Sequence, residues 1–168
     1  PLIKNTIIAS CAAGLLSACS GTLIQAERAA PPADPFARAL HAGYASLARE
    51  ELDENDFADA DAFASRAVSA SAGNPPSPEN FGARKLPAEK LPELAAARDR
   101  LITALERGAA TTAPIRAARA QLAFDCWMQE QEENFQASDI SDCRDRFTAA
   151  IAGLDTKPLA SLKAQQPR

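Results

Sequence analysis

Ile140, Cys143, Phe147, Ile151 and Leu154 stand three, four, four and three residues apart. A half-buried strand would place apolar residues at every second position, whereas this spacing sets all five on one stripe of an α-helix. The same arithmetic recurs upstream. Phe36, Leu40, Tyr44 and Leu47 mark one stripe, and Phe57, Ala60, Phe63, Ala64, Ala67 and Val68 another. Leu94, Ala97, Leu101, Ile102 and Leu105 form a third, and Ile115, Ala118, Leu122 and Cys126 a fourth, which Phe124 and Met128 widen. Alanine is abundant and β-branched residues are few, which favours helix over sheet. The expectation is an all-α fold of about five helices in antiparallel hairpins, without substantial sheet.

Local signals bound these helices. Asp34-Pro35 joins a capping side chain to a proline whose missing N–H costs nothing at the first helical position. Asp56 caps a second helix, Phe57 to about Ala72, which Gly73-Asn74 and the run Pro75-Pro76-Ser77-Pro78 bring to an end. Residues 75–92 are long for a structureless connection, so Phe81, Leu86 and Leu91 are expected to pin them to the helices. Pro92 opens a third helix that Gly108 closes. Pro114 opens a fourth, with Arg116 and Arg119 on its solvated side, and it stops near Asn134 after the polar run Gln129–Glu133. Ser138 or Asp139 caps the fifth, and the pattern ends at Asp155. The first two helices resemble a single tetratricopeptide-type hairpin, with small residues at Ala48, Ala60 and Ala67 and an acidic turn before Phe57. No second copy follows at a period near that motif's length.

The N-terminus gives an address. Lys4 precedes the apolar run from Ile7 to Leu16, about the length of a secretory core and too short to span a bilayer. The run closes in Leu16-Ser17-Ala18-Cys19, an order that resembles the lipobox of bacterial lipoproteins. That resemblance implies a lipoprotein signal peptide over 1–18, diacylglyceryl transfer to the Cys19 thiol, and a palmitate-type anchor. An ordinary secretory peptide with an incidental cysteine is the alternative. Ser20, in place of an aspartate, points to the outer membrane, periplasmic face. Residues 19–33 show no periodic apolar face and read as a lipidated tether, 34–155 as the helical domain, and 156–168 as a tail or linker.

A net charge of −4 argues against a nucleic-acid partner and against electrostatic adhesion to anionic lipid, so membrane contact is expected through acyl chains on Cys19. Of 4 cysteines, Cys11 leaves with the signal and Cys19 takes lipid. Cys126 and Cys143 remain, an even pair in an oxidising compartment, too few for structural zinc. A disulfide stapling the C-terminal hairpin is the first reading and two buried free thiols the second. Their distances from the turn differ, so the helices must cross or the turn must be open.

The stretch Phe124-Asp125-Cys126-Trp127-Met128-Gln129-Glu130-Gln131-Glu132-Glu133, followed by Asp139-Ile140 and Cys143-Arg144-Asp145, resembles the N-terminal helical region of certain OmpA-family lipoproteins. Arg84-Lys85-Leu86-Pro87 and the Ala96–Leu101 segment fit the same region. In that family a C-terminal α/β domain holds peptidoglycan; these 168 residues contain no counterpart, so peptidoglycan binding cannot be carried to any residue present.

Catalytic signals are weak. His41 is the sole histidine and reads as a helix-surface residue, and no phosphate loop or nucleophile elbow occurs. The acidic run Glu50–Asp56 lacks the Asp-x-Asp-x-Asp-Gly spacing of a calcium loop and reads as a solvated helix end. Trp127 beside Cys126 reads as a shield for the disulfide. No cofactor and no metal are expected. The function expected is a non-enzymatic, lipid-anchored envelope protein with a helical structural or protein-interaction module. Glu130, Glu132 and Glu133 are its candidate surface for an envelope protein partner. The alternative is a small-ligand carrier or envelope enzyme using a cleft between helices.

Overall fold

A computed structural model of the chain describes residues 21–155. The expected signal peptide over 1–18, Cys19 and the expected tail over 156–168 lie outside the described residues. Those described form helices and no strand. Residues 21–28 make α1, followed by α2 (Pro35–Glu54), α3 (Phe57–Ser71), α4 (Leu91–Glu106), a single turn α5 (Ala109–Thr112), α6 (Pro114–Glu133) and α7 (Ala137–Ala152). No described helix is long and apolar enough to cross a membrane.

The caps are those the residue types demand. Asp34 accepts from the Ala37 N–H at 2.7 Å with Pro35 in the first turn, and Asp56 Oδ1 accepts from Ala58 and Asp59 at 3.0 and 2.9 Å. Asn55 and Asn134 end α2 and α6 in the left-handed region, at φ 68° and 56°. The cap expected for the last helix is not formed: α7 begins at Ala137 after Gln136 without a side-chain cap, and Asp139 sits inside its first turn.

α2 with α3 and α6 with α7 form two hairpins, α2 lies on α6, and α4 covers a further side of α6. Tyr44 stacks on Phe63 across the first hairpin, ring centres 6.2 Å apart, and Phe36, Leu40, Ala48, Ala60, Ala64 and Ala67 are buried in the same core. Phe124, Trp127, Phe147 and Ile151 fill the second, with Phe124 and Trp127 rings 5.9 and 6.0 Å from that of Phe147. α6 is the hub. From Ala117 to Gln131 it is buried nearly all round, so its narrow-stripe reading is too narrow. Ile115, placed on that stripe, is instead exposed.

The tether reading fails over 21–28. Leu23 and Ala26 of α1 are buried in the core, and Glu27 pairs with Arg49 at 2.6 Å. His41, expected on the surface, is buried beneath α1, where its Nε2 bonds the Ala26 carbonyl at 2.8 Å. The last carbonyls of a helix have no partner within it, and His41 supplies one.

Candidate functional site

The conspicuous feature of α6 is a polar stripe that faces inward. Gln121, Asp125 and Gln129 recur every fourth residue, and all three are fully buried. Burying polar groups is costly unless each finds a partner. Asp125 Oδ2 accepts from the Tyr44 hydroxyl and, at 2.8 Å, from Arg66 Nη2, while Oδ1 accepts from the Glu79 N–H at 2.9 Å. Gln121 Nε2 donates to Tyr44 Oη at 2.9 Å and to the Pro76 carbonyl at 2.6 Å. Arg66 also reaches the Ser77 carbonyl, and Arg98 the Glu79 carbonyl, both at 2.6 Å.

This network, more than the apolar contacts expected of the connection, pins residues 75–80. Phe81 and Leu86 do pack against the core, but Leu91 is exposed. The proline-rich segment cannot satisfy its backbone within a helix or sheet, so side chains from α3, α4 and α6 do it instead. Arg84 locks the next residues, bonding Glu79 at 2.8 Å, Asp59 at 2.6 Å and Glu132 at 3.2 Å. Burial pushes the Asp125 carboxyl up to about 6, although Arg66 and the Tyr44 hydroxyl oppose it.

The Glu130–Glu133 edge is not the free acidic surface expected from the sequence. Glu130 is 8% exposed. Glu132 accepts from Arg84 and, at 2.7 Å, from the Lys85 N–H, and Glu133 is half-buried. Glu130 sets a carboxylate oxygen within 4.8 Å of the Cys126 and Cys143 sulfurs, while Glu132 is held by the segment that follows α3. Burial, with Asp139, Glu133 and Glu54 nearby, raises the Glu130 carboxyl to about 7. The Glu50–Asp56 run is likewise only partly solvated. Glu51 is 4% exposed and accepts from Gln129 Nε2 at 3.0 Å; burial followed by the charges of Asp59 and Glu130 raises it to about 8.

Cys126 and Cys143, 17 positions apart in sequence, are bonded, with Cα atoms 5.7 Å apart. That separation lies in the ordinary range for a disulfide, and it joins α6 to α7 as the stapled hairpin requires. Arg146 Nη2 lies 3.2 and 3.1 Å from the two sulfurs. Beyond the staple, Asn134 turns the chain and leaves Phe135 72% exposed.

On the other side of α6 a cleft of about 730 Å³ opens between α2, α6 and α7. Leu47, Leu122 and Ala123 contribute apolar walls, and Arg116, Arg119 and Arg146 bring positive charge to it, with Glu50 the one carboxylate among the described residues. Arg116 and Arg119 form no ion pair among the described residues.

No protein-family model, characterised protein or solved structure matches the chain. The likeness to OmpA-family lipoproteins therefore rests on the residues quoted for it alone.

Proposed function

We propose that this chain is a lipid-anchored cell-envelope protein, similar to the helical region of OmpA-family lipoproteins, that acts through a protein contact and not through catalysis. The address rests on Leu16-Ser17-Ala18-Cys19. Phe135 carries the contact: an aromatic side chain 72% exposed at the turn of a disulfide-stapled hairpin. A side chain presented on a rigid turn loses little freedom on binding, and aromatic residues are frequent anchors. The acidic surface considered from the sequence gives way to this turn, because Glu130 and Glu132 are turned inward.

Two experiments test the reading. Metabolic labelling with an alkyne fatty acid should mark the wild type and not Cys19→Ser; equal labelling would remove the anchor. Cross-linking of the full chain in intact envelopes should give a discrete partner band that Phe135→Ser abolishes without changing the melting temperature. An undiminished band would remove the turn as the contact.

The cleft favours a second reading, a small-ligand carrier. Its volume is in the range of small-molecule sites, and apolar walls with arginines suit an anionic amphiphile. Native mass spectrometry of protein extracted from envelopes would then show an added mass that Arg119→Ala loses.

A further inference from the structure

Almost no chain separates α1 from the residue expected to carry the lipid. Cys19 stands two positions before Gly21, where the described part of α1 begins. A peptide chain advances at most about 3.6 Å per residue, so these two Cα atoms lie within about 7 Å of each other. The polar layer of one bilayer leaflet is of the same order, roughly 5–8 Å deep. A residue of α1 this close to an acylated cysteine cannot stand clear of the headgroups.

The inner side of α1 is fixed to the bundle. Leu23 and Ala26 are buried in the core, His41 Nε2 bonds the Ala26 carbonyl at 2.8 Å, and Arg49 pairs with Glu27 at 2.6 Å. Gly21, Ile24 and Gln25, at spacings of three and one, share the opposite side and are exposed. Ile24 is 42% exposed, a large apolar side chain that the core leaves out. From Cys19 to Ala26 the chain carries no charge, and Glu27 and Arg28 then follow with opposite signs. An uncharged helix edge with an apolar side chain is suited to the boundary between headgroups and acyl chains.

We propose that the outer face of α1, around Ile24, is a membrane-contact surface seated in the headgroup layer of a zwitterionic phospholipid leaflet. This seating rests on the acylation of Cys19 proposed above, and it holds the domain against the bilayer where a tether would let it swing away. A net charge of −4 gives the chain no attraction to anionic lipid, so the partner is zwitterionic. One isoleucine is a weak membrane contact for a free protein. Beside an acyl anchor it meets the interface intramolecularly, at high effective concentration. Because α1 is bonded to α2, seating it also fixes how the bundle is turned on the leaflet.

Full lipidated protein carrying Gln25→Cys, spin-labelled there and reconstituted into phosphatidylcholine vesicles, tests this with Ile24 left in place. Cys126 and Cys143 are bonded, so the label goes to the new thiol. Collision with a water-soluble nickel chelate should fall several-fold, and collision with oxygen should rise, relative to the same label in unanchored Cys19→Ser protein. Inserting about 12 Gly/Ser residues between Ser20 and Gly21, with an r.m.s. span of roughly 20 Å, should return both to the unanchored values. A label as open to nickel on vesicles as in the unanchored protein, in a sample whose mass shows the acyl groups, would overturn the seating and leave the anchor standing. A mass without acyl groups would remove both.

Discussion

The Tyr44 hydroxyl donates to Asp125 Oδ2 across the α2–α6 interface, 81 residues apart in sequence, and the same oxygen atom of Tyr44 accepts from Gln121 and from Arg66. One buried hydroxyl therefore serves three polar side chains that have little access to water. The Arg66 guanidinium also lies 4.7 Å from the centre of the Tyr44 ring. Tyr44→Phe keeps the ring and its stacking on Phe63 but leaves Asp125 and Gln121 short of a partner. Loss of a buried partner costs about 1–3 kcal/mol, so the chemical-denaturation midpoint should drop at unchanged m-value. A variant as stable as the wild type would show that water substitutes for the hydroxyl.

Asp125 gives the interface a pH dependence of definite sign. Burial raises its carboxyl to about 6 in the folded protein, while an unfolded aspartate titrates near 4. Between those values the folded state holds the proton more tightly. The stability this adds is complete below about pH 4 and is lost as pH rises through about 6. The melting temperature of the wild type, relative to Asp125→Asn, should therefore fall between pH 4 and 7. A difference that stays constant or rises across that window would mean that Arg66 keeps the carboxylate ionised throughout.

Much of the fold was legible because it rests on apolar spacing. The stripes of α2, α3, α4 and α7 and the Asp34-Pro35 and Asp56 starts follow from residue type and interval alone, while the Cys126–Cys143 staple needed the expected oxidising compartment as well. What escaped was polar burial. Gln121, Asp125 and Gln129 are hydrophilic and fall outside every apolar stripe, and only their partners show that they are buried: Tyr44, Arg66 and Glu51 lie more than fifty residues away. The recurrence of these three at every fourth position on a helix already carrying Phe124, Trp127 and Met128 was the available signal, since such a helix has no side left for water. α1 was missed for a related reason. Leu23 and Ala26 make too short a pattern to register, and the partner that fixes them, His41, is a single side chain.

The disulfide should be structural. Both cysteines are buried, Cys126 at 4% and Cys143 at 1% exposure, which excludes alkylating reagents from the native protein. In the chain-entropy model a loop of this length contributes about 3 kcal/mol. Reduction should lower the melting temperature by several degrees, and the unreduced protein should yield a linked proteolytic peptide. Quantitative alkylation of both thiols without denaturant would refute this.

Gly43 sits where α2 crosses α6, and a Cβ built there would overlap Leu122 Cδ1. Alanine in a helix interior is favoured over glycine by about 1 kcal/mol, but overpacking a contact costs about 1–3 kcal/mol. Leu122 is half-buried and borders the cleft, so it can yield partly. Gly43→Ala alone should therefore be mildly destabilising. In a Leu122→Ala background the obstruction is gone and only the propensity gain remains, so the same substitution should stabilise by about 1 kcal/mol. A double-mutant cycle from denaturation curves reads the change of sign directly. If Gly43→Ala has the same effect in both backgrounds, Leu122 is not what the glycine accommodates.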